Sequence, residues 1–367
     1  MKTIASTTLR MPTTREIAAA CGCSQPTVSY ALNGHPKIPA ATRERVLTAA
    51  RKLGWRPNAF ASAYMAHLRT RRTPVFQATL AFLVANRQSG RIGDQGMHMQ
   101  RHFAGAKARA EELGYGLEPV WLHEPGLTAR RLNQVLRSRN IPGLLIPGLV
   151  HPSSIFEGIE WAHFVAVTMA WSLKAPMLNR VGVNAAHGFD LMLRKAVDLG
   201  YRRIGVVVSD EYDARVNHGV LYPVFYARER WAAEMSGVEI RVCRFARSHM
   251  DEIPRIQKWI RENKPDVVLA EATVERAIRQ MNWRVPQDVA LVSVDRAPEY
   301  PDLGGFNQHH ELHGSVAVDL LVGQILQNER GLPAIPREVL VKGEWADGIS
   351  VPPKAEIAAL GGRSARL

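Results

Sequence analysis

The chain has 367 residues, more than twice the length of a typical domain, which predicts two or three compact units. Apolar residues make up 46% and charged residues 22%, which excludes a largely disordered chain, a collagen-like repeat or a coiled-coil rod. No segment approaches the roughly 18 unbroken apolar residues of a membrane helix, and the first ten residues lack the apolar core of a signal peptide. We therefore expect a cytoplasmic protein with no membrane partner.

The positive charge is concentrated at the N-terminal end. Residues 1–72 hold twelve Lys or Arg and two Glu, a net charge of +10, whereas the whole chain has a net charge of +13. A basic segment joined to a nearly neutral body is typical of proteins that bind polyanions, and nucleic acid is favoured over an anionic membrane. The alternative is a charged surface that serves only solubility.

The basic segment begins with a predicted helix and a tight turn. Thr13 and Glu16 form a T-x-x-E capping box, so the first helix should begin near Thr14. Gly22 supplies a residue that tolerates the left-handed conformation, so the helix should end there.

Two further helices should follow the turn. Ser24 is a suitable N-cap for the second helix, which should end at Asn33-Gly34, and a third helix should cover residues 40–53. Three short helices with a tight turn between the first two are typical of a helix-turn-helix unit. In such units the second helix lies in the major groove of DNA.

The second helix carries the candidate base-reading residues. Gln25, Pro26, Ser29 and Tyr30 occupy its exposed N-terminal part, which reaches base edges in helix-turn-helix proteins. A Gln side chain can bind adenine through two hydrogen bonds, and Ser and Tyr can bind bases or phosphates. The alternative is a three-helix unit that binds another protein.

Two runs of residues in this segment resemble a known family. They are P-T-T-R-E-I-A-A-A-C-G-C-S-Q-P-T-V-S-Y-A-L-N-G and T-R-E-R-V-L-T-A-A-R-K-L-G-W-R-P-N-A, and both are similar to the N-terminal region of the lactose-repressor (LacI/GalR) family of bacterial transcription regulators. The resemblance implies a homodimeric, nucleoid-associated repressor that binds a pseudo-palindromic operator in double-stranded DNA. The DNA-binding candidates in full are Thr13, Arg15, Ser24, Gln25, Pro26, Thr27, Ser29, Tyr30, Asn33, Asn58, Tyr64 and Met65.

Two features of the head depart from the family pattern. Family members usually carry Arg where this chain has Tyr30, so the base contact at that position should differ. Residues 59–69, A-F-A-S-A-Y-M-A-H-L-R, correspond to the family's hinge helix, which orders on DNA and inserts a Leu into the minor groove. Tyr64 occupies the Leu position and Met65 follows it, so either residue is the candidate wedge. The alternative is that both residues contact the body.

The rest of the chain alternates strands and helices. Short apolar runs recur at residues 80–84, 144–146, 164–169, 204–208, 267–270 and 289–294, and candidate helices cover residues 99–113, 189–199, 220–235 and 253–263. This alternation predicts parallel sheets covered on both faces, with ligand binding where strand ends face each other. The fold class is therefore an all-α helix-turn-helix head followed by an α/β body.

The resemblance continues along the body and implies its organisation. It implies a two-lobed, periplasmic-binding-protein-like fold whose lobes are joined by three crossings, which we place near Val183, near Gly305 and at residues 331–333. We expect a DNA-binding domain at residues 1–57, a hinge helix and linker at 58–73, an effector-binding and dimerisation domain at 74–353, and a C-terminal tail at 354–367.

The candidate effector residues depart from the family pattern more than the head does. Asn184 stands where the family has Asp, and Asn217 stands near the position of an Arg that grips the effector. Asp295 and Gln308 retain the family's residue types. Trp171 follows an apolar strand, where it can stack on a sugar or aromatic ring. The candidate effector site therefore comprises Trp171, Asn184, Asn217, Glu271, Asp295 and Gln308.

The charges at these positions favour a neutral or cationic effector, such as a neutral sugar. An anionic sugar would face Glu271 and Asp295 with no evident Arg partner, and like charges in a closing cleft are costly. Two residues have other interpretations: Trp171 as lobe packing, and Asp295 as a helix cap or part of a hinge ion pair. If the departures have removed effector binding, the body is a ligand-free dimerisation scaffold for a constitutive DNA-binding head.

The sequence gives no sign of a metal, a cofactor or catalysis. Cys21 and Cys23 form one C-x-C pair, and Cys243 lies far from them, so a four-ligand zinc site is not indicated. The H-H-E-L-H run at residues 309–313 is one residue short of the H-E-x-x-H spacing, although His309 and His313 should share a helix face. We interpret this run as the start of a helix in the dimer interface.

Overall fold

The computed structural model describes residues 12–32, 38–53, 55, 76–148, 154–234, 237–247 and 250–360. The chain divides into two compact units, a head and a body that begins at Ala78. Within the described ranges, no helix is both long enough and apolar enough to cross a membrane.

The head contains the three predicted helices, α1 (Thr14–Cys21), α2 (Gln25–Leu32) and α3 (Ala40–Lys52). The predicted capping box is present, because the Glu16 backbone N–H donates to the Thr13 hydroxyl and Glu16 accepts from the Thr13 backbone N–H at 2.6 Å. Gly22 has φ 65°, which lets the chain reverse between α1 and α2. These local signals explain why the first helix boundaries could be predicted.

A small apolar core holds the three helices together. Its buried members are Ile17, Ala18, Val28, Ala31, Val46, Ala49 and Ala50. Leu53, the last residue of the predicted third helix, lies one residue beyond the end of α3 and is 43% exposed.

The body begins with a sheet of six parallel strands, which forms the first lobe together with its helices. In chain order its elements are β1 (Ala78–Val84), α4 (Met97–Glu112), β2 (Tyr115–Trp121), α5 (Ala129–Ser138), β3 (Gly143–Ile146), β4 (Val165–Met169) and β5 (Asn179–Val183). The strand order across the sheet is β11-β5-β4-β3-β1-β2, where β11 (Glu338–Val341) arrives from later in the chain. Strands β1, β3, β4 and β5 are almost wholly buried, as expected of a parallel sheet between helices.

The second lobe is built on another six-stranded sheet. Its elements are α6 (Ala185–Asp198), β6 (Arg203–Ser209), α7 (Asp210–Arg215), α8 (Leu221–Glu234), β7 (Glu239–Phe245), α9 (Ile253–Asn263), β8 (Val267–Ala270), α10 (Ala272–Gln280), β9 (Ala290–Ser293) and β10 (Gly304–Asn307). The helix α11 (His310–Gln327) and strands β11 (Glu338–Val341) and β12 (Glu344–Ala346) follow. The strand order is β12-β10-β9-β8-β6-β7, and only the pairing of β10 with β12 is antiparallel among the described strands.

The chain passes between the two lobes three times. The first crossing follows β5 at Val183 and the second follows β10 at Asn307, close to the predicted positions. The third prediction, at residues 331–333, was wrong. Gly331 has φ 89° and donates its backbone N–H to Phe164, so it forms a turn within the first lobe. The third crossing lies between β11 and β12, at Lys342 and Gly343.

Residues 354–360, which we expected to belong to a separate tail, pack against the second lobe. They form a 3-10 helix, Lys354–Leu360, whose first backbone N–H donates to Leu199 at 2.8 Å. The Lys354 ammonium lies 2.5 Å from Asp266, and Ile357 packs on the core of this lobe. The described part of the C-terminal segment therefore belongs to the body.

Candidate functional site

The N-terminal half of α2 forms an exposed polar surface on the head. Ser24, Gln25 and Pro26 are exposed, and Tyr30 is 51% exposed one turn further along. Val28 and Ala31 point to the core from the opposite face. The fold therefore presents the predicted base-reading residues to solvent and hides the apolar ones.

Hydrogen bonds fix the start of this surface. The Gln25 amide donates to the Thr14 hydroxyl at 2.9 Å, which ties the first residue of α2 to the first residue of α1. The Ser24 hydroxyl accepts from the Thr27 backbone N–H at 3.3 Å and lies 2.7 Å from the Thr27 hydroxyl, so Ser24 acts as the N-cap. This network fixes the position from which α2 projects its side chains.

The other DNA-binding candidates are placed as follows. Thr13 and Arg15 are exposed at the start of α1, and Thr27 and Ser29 are partly buried on α2. Asn33, Asn58, Tyr64 and Met65 lie outside the described residues. The structure thus brings the head's described candidates together around the N-termini of α1 and α2.

The body has a cavity of about 150 Å³ between its lobes. It opens at the carboxyl ends of the parallel strands of both sheets, which is where open α/β folds bind ligands. Its lining comprises His98, His102, Gly148, Ala170, Trp171, Ser172, Gly182, Val183, Tyr212, Arg215, Val216, Asp295, Gln308, His310 and His313. The cavity is smaller than the roughly 300–1,000 Å³ of typical drug-sized pockets, which suits a ligand of about monosaccharide size.

Three of the six predicted effector residues line this cavity. Trp171 packs its ring against Gly182 of β5, and its indole N–H donates to Glu338 at 3.2 Å. The Gln308 amide donates to the Val294 carbonyl at 2.9 Å, and Asp295 presents a partly exposed carboxylate. Trp171 thus serves both interpretations, because it packs within the first lobe and also forms part of the cavity wall.

Asn184, Asn217 and Glu271, which we expected in the effector site, do not line the cavity. Asn184 is the N-cap of α6, where its side chain accepts from the His187 backbone N–H at 3.1 Å. Asn217 is exposed in the turn after α7 and has φ 54°. Glu271 is buried and accepts from the Ser209 backbone N–H at 2.7 Å, so its carboxylate supports the end of β6.

An arginine that the sequence analysis missed does line the cavity. Arg215, at the end of α7, lies two residues before Asn217, near which the family's effector-gripping Arg was aligned. Its guanidinium carbon is 5.7 Å from the ring centre of Tyr212, and its buried Nε has no hydrogen-bond partner among the described residues. The expectation of a cleft without an Arg partner was therefore wrong.

Four histidines of the cavity were also missed as a group. His98 and His102 lie on α4, whereas His310 and His313 lie in the first turn of α11, about 200 residues later. The i, i+3 spacing puts His310 and His313 on one helix face, whereas His309 precedes the helix with φ 55°. We predicted that His309 and His313 share a helix face. This prediction was wrong, because α11 begins at His310 and His309 lies before it.

Hydrogen bonds join His102 and His310 to Asp295. Nδ1 of His310 lies 3.2 Å from Nε2 of His102, and Nε2 of His310 lies 2.7 Å from the Asp295 carboxylate. The rings of His102 and His313 stack with their centres 5.6 Å apart. This arrangement joins α4 of the first lobe to the loop after β9 of the second.

Burial keeps several of these histidines uncharged. Loss of hydration, together with the nearby His310, lowers the pKa of His313 to about 4. The same two causes hold the pKa of His102 well below its usual range. At neutral pH both rings therefore carry a free nitrogen lone pair.

Comparisons with known proteins agree with the two units of this structure. Residues 13–58 match the family model "Bacterial regulatory proteins, lacI family", and residues 193–351 match "Periplasmic binding protein-like domain". The regulator CelR of Thermobifida fusca is 26% identical over 333 residues, which cover 86% of this chain and 92% of that protein. The N-terminal unit therefore matches the DNA-binding domain of the LacI family, and the body matches a periplasmic-binding-protein-like domain.

Solved structures of LacI-family proteins share this fold. A CelR-cellobiose complex has a TM-score of 0.56 at 21% identity, covering 92% of this chain and 99% of that one. A lac repressor dimer bound to operator and the anti-inducer ONPF has a TM-score of 0.53 at 20% identity, covering 94% of this chain and all of that one. The curated relatives that match this chain are transcriptional regulators, and residues 13–58 match the DNA-binding domain of that family.

Proposed function

We propose that this regulator binds a pseudo-palindromic operator as a homodimer in the cytoplasm, where it associates with the nucleoid. A small, neutral, sugar-like molecule in the cleft then changes its affinity for the operator. The observation that carries the proposal is the exposed N-terminal half of α2, held in place by the Gln25–Thr14 and Ser24–Thr27 contacts on a strongly basic head. This is the geometry with which a recognition helix enters the major groove.

The cleft supports the effector part of the proposal. Asp295 offers hydrogen-bond acceptors, Arg215 offers donors, and Trp171 forms an apolar wall beside them. Charged groups of both signs can bind the hydroxyls of one neutral polyol through charge-assisted hydrogen bonds. The cavity of about 150 Å³ favours a monosaccharide-sized ligand over a larger one. The proposed ligand class rests on this combination of residues.

The operator is best identified by selecting bound duplexes from a random DNA pool. Specific binding should then weaken steeply with salt, with a log-log slope of about −0.9 for each phosphate neutralised. A slope near zero would exclude binding through the basic head. Selected sites that lack two-fold symmetry would contradict the dimeric operator complex.

The effector is best found by a thermal-shift screen of the full chain against neutral sugars, sugar acids and sugar phosphates. A neutral sugar at about 100 times its dissociation constant should add about 2.7 kcal/mol to the stability of the folded chain. The Trp171→Ala variant should lose this stabilisation, while Trp283→Ala, at a Trp outside the cavity lining, should retain it. Stabilisation by anionic sugars alone would show that Arg215 dominates the cleft. No stabilisation by any sugar would favour a ligand-free scaffold.

A further inference from the structure

Three of the cleft histidines are close enough to share one metal ion. His102, His310 and His313 each offer a ring nitrogen, and these three atoms lie within 4.8 Å of one another. The nearest pair, Nε2 of His102 and Nδ1 of His310, is 3.2 Å apart. Two nitrogens bound to one zinc ion at about 2.0–2.1 Å in tetrahedral geometry are about 3.3–3.4 Å apart, so this pair already has almost the required separation.

The third histidine distinguishes a metal site from a simple hydrogen bond. A hydrogen bond between His102 and His310 would by itself explain their close approach. It would leave Nε2 of His313 buried, with no hydrogen-bond partner in the described part of the chain. A buried polar atom without a partner destabilises the fold, and one metal ion would satisfy the nitrogens of all three rings.

Asp295 holds His310 in the orientation that a metal ligand needs. Its carboxylate lies 2.7 Å from Nε2 of His310, so the opposite nitrogen, Nδ1, faces His102. Metal-binding histidines usually donate their other ring N–H to a carboxylate or carbonyl, which fixes the ring and strengthens the metal bond. The Asp295–His310 pair has this arrangement.

The surroundings of the three rings also suit a transition metal. His102 is 7% exposed and His313 is 4% exposed, so the ring nitrogens that would bind the ion are sheltered from bulk water. Imidazole nitrogen is a preferred ligand of Zn²⁺ and related first-row ions, whereas Mg²⁺ and Ca²⁺ prefer oxygen. The sequence analysis did not predict a metal site here. The third ligand, His102, lies on α4, far in sequence from His310 and His313.

We propose that the cleft binds one divalent transition-metal ion of the Zn²⁺ class through His102, His310 and His313, with Asp295 orienting His310. Three protein ligands leave a fourth coordination position. All three histidines line the cavity, so water or an oxygen atom of a small molecule in the cleft fills that position. The metal site does not depend on the proposed sugar effector.

The test uses the full-length chain without an affinity tag, after treatment with a chelator and dialysis. Co²⁺ is added stepwise while visible absorption is recorded, and Zn²⁺ binding is measured by calorimetry. We expect saturation at one ion per chain, visible bands of the intensity typical of tetrahedral cobalt, and loss of those bands when Zn²⁺ is added. Failure to saturate at one equivalent overturns the proposal.

Matched variants show whether the ion occupies this site. His102→Gln and His313→Gln should each weaken Zn²⁺ binding by more than Asp295→Asn, for which a loss of about 10–100-fold is expected. His163→Gln is the control, because His163 is half exposed and lies outside the cluster. Circular dichroism of the metal-free variants establishes that each one is folded.

Two results would contradict the assignment. If His102→Gln and His313→Gln, folded as the parent is, bind Zn²⁺ with parental affinity, the ion lies elsewhere. If only one of the two variants loses affinity, the three-histidine site is wrong. Operator binding is also measured in the presence of a chelator. This measurement tests the proposed regulator function separately from the metal site, because the chain can bind its operator even if it binds no metal.

Discussion

Gln25 is the residue whose base contact can be tested most directly. It lies at the first position of α2 with an exposed side chain, and its amide donates to the Thr14 hydroxyl. If the amide binds an adenine in the complex, Gln25→Ala should relax the base preference at one position of each half-site by about 1–3 kcal/mol. Affinities for operators with single base-pair changes measure this loss.

Arg15 provides the matched control for that experiment. It is exposed near the start of α1, and we expect it to contact phosphate. Arg15→Ala should therefore weaken binding to all sequences about equally and reduce the salt slope by about 1. If Gln25→Ala also weakens every sequence equally, Gln25 is not a base-reading residue.

At the residue scale, the sequence predicted the head better than the cleft. Thr13, Glu16 and Gly22 act through neighbours within a few residues, so their roles follow from local pattern. The cleft depends on contacts such as His102 with His310, which are 208 residues apart in the chain. No local pattern contains that pairing, and none marks Arg215 as part of the cleft.

At the element scale, the contact between α4 and α11 controls the geometry of the histidine cluster. A side chain at Gly105 would overlap the Glu311 backbone, and one at Gly314 would overlap the His102 backbone. The Gly314→Ala substitution should therefore force the helices apart and reduce the free energy of unfolding by about 1–3 kcal/mol. Urea denaturation of the full chain measures this change.

Gly323 on the same helix is the control for Gly314. A Cβ atom at Gly323 meets no atom within 4 Å in the described structure. Because Ala has a higher helix propensity than Gly, Gly323→Ala should be neutral or stabilising by up to about 1 kcal/mol. Equal destabilisation by the two substitutions would mean that the helix contact is not responsible.

The proposed hinge helix gives a second prediction at this scale. Residues 59–69 are fewer than the roughly 12–15 that a helix needs to be stable alone in water, so we expect them to order on DNA. Replacing both Tyr64 and Met65 by Ala should reduce operator bending and affinity and leave dimerisation unchanged. Bending can be measured by the electrophoretic mobility of circularly permuted operator fragments. Parental bending by the double variant would exclude both residues as the wedge.

Strands were predictable where they were apolar and continuous. The apolar run at residues 80–84 lies within β1, and the apolar run at residues 267–270 coincides with β8. Strand β5 was not identified because Asn179, Arg180 and Gly182 interrupt its apolar pattern, although every residue of it is buried. Its polar side chains are satisfied by tertiary partners, as when Arg180 donates to the Ala170 carbonyl.

At the scale of the whole molecule, we expect the body rather than the head to hold the dimer together. Each head has only a small core of three short helices, whereas the body has large cores in both lobes. Sedimentation of residues 74–367 at micromolar concentration should therefore show a dimer. A monomer under these conditions would contradict the proposal, and the full-length chain run in parallel shows whether the head contributes.

The three crossings determine which motions the body can make. α11 begins three residues after β10 and packs at once against α4, so its first turn moves with the first lobe. Bending at the second crossing is therefore limited to residues 308 and 309. The other two crossings, at Asn184 and Gly343, are also short. Three short pivots close together permit rotation of one lobe about a single axis and resist sliding or twisting. The contact between His310 and Asp295 joins α11 to the loop after β9, so we expect a change at this contact to alter the angle between the lobes.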